Sequence, residues 1–508
     1  MSASVSVLVV GAGPTGMLLA LELCRHGLRP RVVDALPGPS PLSRALVVHA
    51  RTQELLDRHE LAEAFVERGE LLRELGLRVG GRPRAQVPVG HLGTGLSPFP
   101  FLLTLSQDQT ELLLRQALAR YGVEVEWNTR LLALRPVADG AEAQLQGPGA
   151  APETVRATYL AGCDGARSAV RYALGVDFPG GTYEQVFFVA DTVTDGLDQP
   201  GQLRRLQISF GRSRFYGFFP MPGGRTRIIG LLPPGLAQAE ATFEHLRPAL
   251  EAAEHLRVRE VGWFSTYRVH HRVAETFRQG SVFLLGDAAH VHSPAGGQGM
   301  NTGLGDAVNL GWKLAAVLRE AAPARLLDTY AAERVPFARQ LVATTDRAFS
   351  GATRAEGLAA WARIRLVPRL LPLLLRLPAV RRRVFQTLSQ TGIRYPDSAL
   401  NQGAAGPVSA GDRLPWGPAP RYELLRQPGW HLLSLGEPAA EARHWAARRR
   451  MPLTAVAPGP GERAGALYLV RPDGYLGLVL PRFEAAALSA YADEWQVGAR
   501  PDVPTTYA

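Results

Sequence analysis

Lysine is almost missing from this sequence. Lys313 is the one lysine in 508 residues, and the other basic side chains are arginines. Cysteine is nearly as scarce, with Cys24 and Cys163 the whole supply. Two isolated cysteines exclude a disulfide framework and a cysteine-built zinc site. Both sit in apolar surroundings and read as buried packing. No run of roughly 18 apolar residues occurs, so no membrane-spanning helix is expected. A charged leader with a cleavage site is also missing, and the expected compartment is a reducing cytoplasm. Acid is in deficit: 46 Asp and Glu face 56 Lys and Arg, for a net charge of +10. A block of basic residues would suggest nucleic acid. Here the arginines are scattered, so no nucleic-acid partner is expected. Coding bias and an anionic cofactor are the simpler account, and positive potential would help steer acidic ligands. Hydrophobic content of 46% and charged content of 20% describe an ordinary soluble globule. This length suggests about three domains.

Glycine is abundant, and its placement is informative. Residues 286–301 read GDAAHVHSPAGGQGMN. An acid follows a strand, a Pro- and Gly-rich turn comes next, and a helix opens. Glycines without a Cβ let the backbone press against a flat ligand. The helix start offers free N–H groups and a positive dipole end. Such a site suits a planar ring carrying negative charge at one edge, as a reduced flavin does.

The amino terminus supplies a partner. The β-rich run Val5 to Val10 leads into Gly11-Ala12-Gly13-Pro14-Thr15-Gly16, and Met17 to His26 reads as a helix ended by Gly27. Arg31-Val32-Val33-Asp34 is a second strand ending in an acid. This is strand, G-x-G-x-x-G, helix, strand, acid: the dinucleotide fingerprint in its full context. Gly459-Pro460-Gly461 with Gly465 looks similar, but the last glycine is one residue too far and no β-run precedes it. It reads as a surface turn.

Further segments follow in order. Arg44 precedes Ala50-Arg51-Thr52 and Glu54, and Gln107 precedes Thr110-Glu111. Gly162-Cys163-Asp164-Gly165 continues through Ser168 to Arg171. The 286–301 stretch runs on to Asn309-Leu310, Trp312-Lys313-Leu314, Tyr330, Glu333 and Arg334. With these in place, residues 1 to about 340 resemble the class A FAD-dependent aromatic hydroxylases, the group that includes para-hydroxybenzoate and phenol hydroxylases. The resemblance implies that Gly11, Gly13 and Gly16 hold the FAD pyrophosphate and Asp34 the adenosine ribose, where the family more often has Glu. It places Arg44 and Gln107 at the pyrophosphate and ribityl region and Asp287 on the ribityl chain. Pro294, Gly296 and Gly297 would line the reacting edge of the isoalloxazine. Gly299, Met300 and Asn301 would give backbone donors to its pyrimidine end. Asp164 and Gly165 would lie near both FAD and the reduced nicotinamide. No second nucleotide fingerprint exists, so NADPH or NADH would bind transiently in a shared cleft. The implied chemistry is dioxygen activation as a flavin C4a-hydroperoxide and transfer of one oxygen to an electron-rich carbon.

The expected fold class is α/β. A discontinuous Rossmann-like FAD-binding domain would take residues 1–75, 101–178 and 276–345. An antiparallel-sheet substrate domain would take 76–100 and 179–275, with β-rich runs at 185–193, 203–210, 215–220 and 226–232 roofing the flavin. Residues 346–394 would be a helical segment. Arg363, Arg365, Arg369, Arg376, Arg381, Arg382, Arg383 and Arg394 occur over 361–394 without an acid. A membrane-surface helix is one reading. Pro368, Pro372 and Pro378 interrupt it and favour short helices packed on the cofactor domain. Residues 395–508 are similar to the thioredoxin-like tail of the phenol hydroxylase branch. They carry no cysteine, so thiol redox work is excluded and an interaction or stabilising role remains. Arg471-Pro472-Asp473-Gly474-Tyr475 reads as a turn between strands.

His49 lies between Arg44 and Arg51, and is a candidate substrate-side base. The Asp that phenol hydroxylase has in this segment is replaced by what looks like Leu46. If no protein base exists, a polyphenolic substrate would arrive already ionised. Phe210, Tyr216, Phe218 and Met221 are the candidate substrate contacts within an aromatic roof that also holds Phe187, Phe188, Phe215 and Phe219. Such a roof suits a polycycle and favours the polyketide and antibiotic hydroxylases. His290 and His292 have metal-like spacing but no acid or cysteine cluster to complete a site, so no metal is expected. Ser168 has no adjacent base, which counts against a hydrolase. The expected function is FAD-dependent, NADPH-using hydroxylation of a phenolic or polycyclic aromatic compound, in a monomer or homodimer. A Baeyer–Villiger or antibiotic-inactivating oxygenase is the alternative within the class. A non-oxygenating flavin reductase or dehydrogenase is the alternative outside it. A W-x-W-x-I-P motif is missing, which counts against a flavin halogenase.

Overall fold

The computed structural model describes residues 3–40, 45–197, 205–211, 214–233, 235–319, 322–353, 361, 364–417 and 420–498. The first strand, Ala3–Val10, is apolar and buried from Val7 to Val10. A strand buried on both faces belongs in the centre of a parallel sheet. It lies between Glu153–Gly162 and Arg31–Val33, with Val282–Leu284 and Val125–Glu126 beyond, all paired in parallel. Glu153–Gly162 itself arrives from an antiparallel meander with Arg130–Val137 and Gly140–Gln146. Helix Pro14–Arg25 follows the first strand, and helix Gly299–Arg319 packs across it. Two glycines allow that close approach. A Cβ at Gly303 would overlap the Thr15 hydroxyl, and one at Gly311 would fall 2.6 Å from Glu22 Cβ.

Among the described residues, a second sheet runs in the order His290–Val291, Arg257–Val273, Gly180–Asp195, Arg225–Leu231, Phe215–Met221, Arg205–Phe210, Glu74–Val79, Arg82–Pro88. Its pairings are antiparallel except Arg205–Phe210 with Glu74–Val79. The last two strands, Glu74–Val79 and Arg82–Pro88, come from the segment around residue 76. The start of the expected strand at Leu203 lies outside the described residues.

Strand alternation gives this sheet two apolar faces. On one, Phe188, Tyr216, Phe218 and Ile228 pack on Phe243, Leu246 and Leu250 of helix Phe243–Glu254. On the other, Phe187 and Val269 gather Phe215, Ile229, Leu231 and Tyr267. Arg227, in register with Asp191 on this second face, reaches the Ala45 carbonyl at 3.3 Å, so this face meets the segment that leads into Val47–Val48.

The arginine-rich stretch forms helices Val367–Leu374 and Pro378–Leu388. They pack mainly on the far edge of the second sheet: Leu375 and Phe385 join Val87, Val89 and Leu92, and Ala50 is the link to the cofactor half. The sequence expectation had them on the cofactor domain. Val87 in strand Arg82–Pro88, with Val89 and Leu92 just after it, supplies the apolar contacts instead, and the described arginines of the two helices are exposed. Arg363 lies outside the described residues.

In the tail, His431–Leu435, helix Ala440–Arg448 and Leu453–Val456 form a parallel β-α-β unit. Leu467–Val470 and Leu476–Leu480 add antiparallel strands, and helix Ala485–Trp495 follows. The strand order is 453–456, 431–435, 467–470, 476–480.

Candidate active site

The carboxyl ends of the parallel strands converge on the glycine turns. Gly11 has φ +104°, and a Cβ there would overlap the Cys163 carbonyl oxygen, because Cys163 N–H donates to Val10 O at 2.7 Å. A Cβ at Gly16 would overlap the Gly11 carbonyl oxygen, whereas Gly13 faces open space. Helix Pro14–Arg25 begins without a side-chain cap and without an acid in its first turn. Its leading amides therefore face the open side of the cradle, which is the arrangement that accepts an anion. Asp34 stands at the rim. Its Oδ2 accepts from Ala12 N–H at 2.7 Å and its Oδ1 from Leu36 N–H at 2.8 Å, so this carboxylate also braces the turn.

Opposite, Gly286-Asp287-Ala288 forms a tight turn after Val282–Leu284, with Gly286 at φ +58° and Asp287 exposed. Pro294 leads into Gly296 at φ +78° and Gly297 at φ +64°. Helix Gly299–Arg319 starts directly behind them. Asn301 is buried, and its side chain is spent internally. Its Oδ1 accepts from His49 N–H (2.9 Å) and Thr52 Oγ1 (2.7 Å), while Nδ2 donates to Val47 O (2.9 Å) and Gly297 O (2.8 Å). The Asn301 side chain is therefore not available to a ligand, which leaves the backbone of Gly299, Met300 and Asn301 as what this turn has to offer.

Asp164 caps the next helix. Its carboxylate accepts from Ser168 Oγ at 2.6 Å and Val170 N–H at 3.1 Å, and burial raises its pKa. Gly165 beside it turns at φ +79°. Gln107 Oε1 accepts from Ala45 N–H at 3.2 Å, and its Nε2 donates to Glu111 at 2.9 Å. It thus holds the chain immediately after Arg44, and Arg44 itself lies outside the described residues. Burial pushes the Cys24 thiol up to about 12 and the Cys163 thiol well above its usual value, so both are inert packing.

Three sequence expectations need correction. Tyr216 and Phe218 do not face the cleft; they pack on helix Phe243–Glu254 behind the sheet. Of the four substrate candidates, Phe210 and Met221 lie on the cleft-side register with Phe215 and Arg225. His49 is not a cleft-facing base. Its ring is 1% exposed, and burial brings its pKa down to about 4 despite the Gly296 and Gly297 backbone beside it. The residues missed were Ile229, Leu231, Trp263 and Tyr267, half-buried on the cleft face. The period-2 pattern of 257–273 announces the strand, but only its register with Gly180–Asp195 says which face meets the cleft.

His290 is structural. Its Nε2 lies 2.7 Å from Asp306 Oδ2, and Asp306 also accepts from Arg334 Nε at 2.6 Å and Gly286 N–H at 3.0 Å. Among the described residues no His, Cys, Asp and Glu cluster could hold a metal, and no helix is long and apolar enough to cross a membrane.

The cradle matches known proteins. Residues 4–345 match the family model described as FAD binding domain. The 6-methylpretetramide 4-monooxygenase of Streptomyces rimosus is 35% identical, over 95% of this chain and 92% of that one. The solved anhydrotetracycline hydroxylase of Streptomyces rimosus superposes with a TM-score of 0.79 at 32% identity, over 98% of this chain and 100% of that one. Aklavinone-11 hydroxylase, solved as a ternary complex with FAD and aklavinone, has a TM-score of 0.79 at 27% identity, covering 98% and 100% of the two chains.

Proposed function

The chain belongs to the FAD binding domain family, as a flavoprotein aromatic monooxygenase, and from that membership we propose that its substrate is a polycyclic phenol held between the second sheet and the Pro294–Gly297 turn. The apolar cleft face carries this reading: Phe215, Ile229, Leu231 and Tyr267 gather on Phe187 and Val269 as one continuous apolar patch. Relatives that act on tetracycline precursors support it.

The cradle fits FAD. Open space before Gly13 and uncapped amides at the head of helix Pro14–Arg25 suit a pyrophosphate. Asp34 retains lone pairs for a ribose, and exposed Asp287 suits the ribityl chain. Arg44 and Gln107 are assigned with them, and Asp164 and Gly165 to the approach of NADPH or NADH. When bound, the flavin supplies the chemistry: two electrons from the reduced nicotinamide and one dioxygen leave one oxygen atom on the substrate and one in water. The protein's own work is placement. The dipole of helix Gly299–Arg319 favours negative charge at the pyrimidine end, with Gly299 and Met300 amides as donors. Pro294, Gly296 and Gly297 keep side chains away from the reacting edge. The apolar wall orients the substrate and excludes water. Asp191 is committed to Arg227 at 2.7 and 2.8 Å, and His49 is enclosed. With neither of these two available as a base, we take the phenolate to come from the ionisation of the substrate itself.

We further read the chain as an FAD-binding unit (1–75, 101–178, 276–345), a substrate unit (76–100, 179–275), a helical segment (346–394) and a thioredoxin-like tail (395–508). The β-α-β unit followed by an antiparallel pair and a helix supports the last assignment.

The test is to mix the purified protein with NADPH and a panel of one-ring and polycyclic phenols, following oxygen uptake and product mass. Polycyclic phenols are expected to gain one oxygen atom, with a pH profile that follows the substrate's own phenol pKa. Oxygen consumed only as peroxide across the polycycles would defeat the proposal.

A further inference from the structure

The Arg471–Tyr475 turn is a sequence feature that the cofactor site leaves unused, and it is buried where a surface turn would be exposed. Arg471, Asp473 and Tyr475 are all enclosed. The turn plugs the seam between the tail and the two helices that meet behind Gly297. It meets helix Gly299–Arg319 directly at Trp312 and, through Glu333 of helix Asp328–Thr353, at Asn309 and Lys313. Asp473 Oδ2 accepts from Trp312 Nε1 at 3.1 Å and from Arg471 Nη2 at 2.6 Å. Arg471 also grips Glu333 with two bonds, at 2.7 and 2.9 Å. The same Glu333 accepts from Lys313 Nζ (2.8 Å) and Asn309 Nδ2 (2.6 Å) on the long helix. To helix Ala50–Asp57 the turn gives a carbonyl: Asp473 O accepts from Arg51 Nη2 at 2.7 Å, with the guanidinium over the Tyr475 ring.

Asn301 also joins these two helices, tying Val47, His49 and Thr52 to Gly297, with Thr52 next to the Arg51 that holds the turn. A shift of either helix would move the amides of Gly299 and Met300. Between the clamp and the plug lies a small cavity of about 20 Å³, lined by Arg51, Asn301, Arg334, Tyr395, Asp473 and Tyr475. Asn301 and the turn thus line one small space.

We propose that Arg471 and Asp473 are positioning residues of the flavin site, fixing the register of the two helices that meet at Asn301 and so the placement of the flavin's pyrimidine end. This rests on the reading that Gly299–Asn301 hold that end. A tail without cysteine then has a role that needs no redox chemistry of its own.

The experiment compares Arg471→Met, Arg471→Lys and Asp473→Asn with the wild-type holoenzyme. FAD dissociation constants and the visible spectrum of bound FAD are recorded at a temperature where circular dichroism shows each variant folded. Arg325→Gln is the control, since Arg325 joins the tail through the Glu494 carbonyl, at 3.1 Å, far from the clamp. Arg471→Met and Asp473→Asn should weaken FAD binding about tenfold, alter the band shape and send more NADPH oxidation to peroxide. Arg471→Lys should restore part of each, and Arg325→Gln should leave FAD binding unchanged. If Arg471→Met fails to fold, Asp473→Asn and Trp312→Phe carry the test. Lower melting temperatures with unchanged FAD affinity, spectrum and coupling would overturn the inference and leave the turn a plain stabiliser. A wild-type protein that binds no FAD would instead overturn the reading of the site.

Discussion

At position 49 an imidazole is kept neutral by its surroundings. Burial lowers the His49 pKa from its usual value to about 4. The folded state therefore resists a proton that the unfolded chain accepts near pH 6.5. Between those two values the unfolded chain binds more protons, so stability must fall as pH drops from 6.5 toward 4. The full penalty below pH 4 is about 3 kcal/mol from this one ring. His26 and His292 are lowered in the same direction, mainly by burial, and add to the slope. The expected outcome is a urea midpoint that declines through pH 6.5 to 4.5 in the wild type. His49→Asn should lose about one proton's share of that slope, whatever its effect on absolute stability. An identical slope in the variant would show that the ring titrates normally, and would reopen its reading as an accessible base.

Elements decide which side chains reach the ligand, and the second sheet does so by alternation. Phe218 and Tyr267 are both aromatic, yet one faces helix Phe243–Glu254 and the other faces the cleft. Phe218→Ala empties a packed core site and should cost about 3–5 kcal/mol of stability while leaving KM for the substrate unchanged. Tyr267→Ala should do the reverse, raising KM and peroxide leakage with a small shift in Tm. Thermal melts beside steady-state kinetics check both, and a KM change in Phe218→Ala would mean the faces are misassigned. This division was not legible beforehand, because both faces are apolar and period-2 patterning is symmetric between them. Alternation separates Tyr216 and Phe218 from Phe215 and Met221, but only the packing of helix Phe243–Glu254 says which pair faces away from the cleft. The glycine cradle was legible because it is local. Gly11 and Gly16 are demanded by backbone a few atoms away, and the spacing that meets the demand is written in consecutive residues. His49 occupies an intermediate case: its neighbourhood was evident from Arg44 and Arg51, but its enclosure depends on Gly296 and Gly297, some 250 residues away.

For the whole molecule, the single lysine offers a probe of how its parts stay together. Trp312, Ala316 and Leu326 share one core with Trp430, Leu432, Leu488 and Trp495 of the tail. Lys313 sits at that seam, fully buried against Glu333. Burial brings its pKa down to about 8, against the pull of Glu333. Burial would also raise the Glu333 carboxyl, but Arg471 and Lys313 hold it well below the usual carboxylate range. A buried ion network of this kind is costly to break, because removing one partner strands the others away from water. Lys313 can therefore meet an amine-reactive reagent only when the tail undocks or the chain unfolds. At pH 8 the native protein should be labelled at its terminal amine long before Lys313, as followed by intact mass and peptide mapping. Low urea should bring in Lys313 labelling before the sheet signal in circular dichroism is lost, if the tail opens as a unit of its own. Labelling that waits for global unfolding would mean that tail and cofactor half form one cooperative body. Labelling of Lys313 at the rate of the terminal amine, without denaturant, would contradict the buried seam altogether. The rarity of lysine makes the assay clean, since no other side-chain amine competes for the reagent.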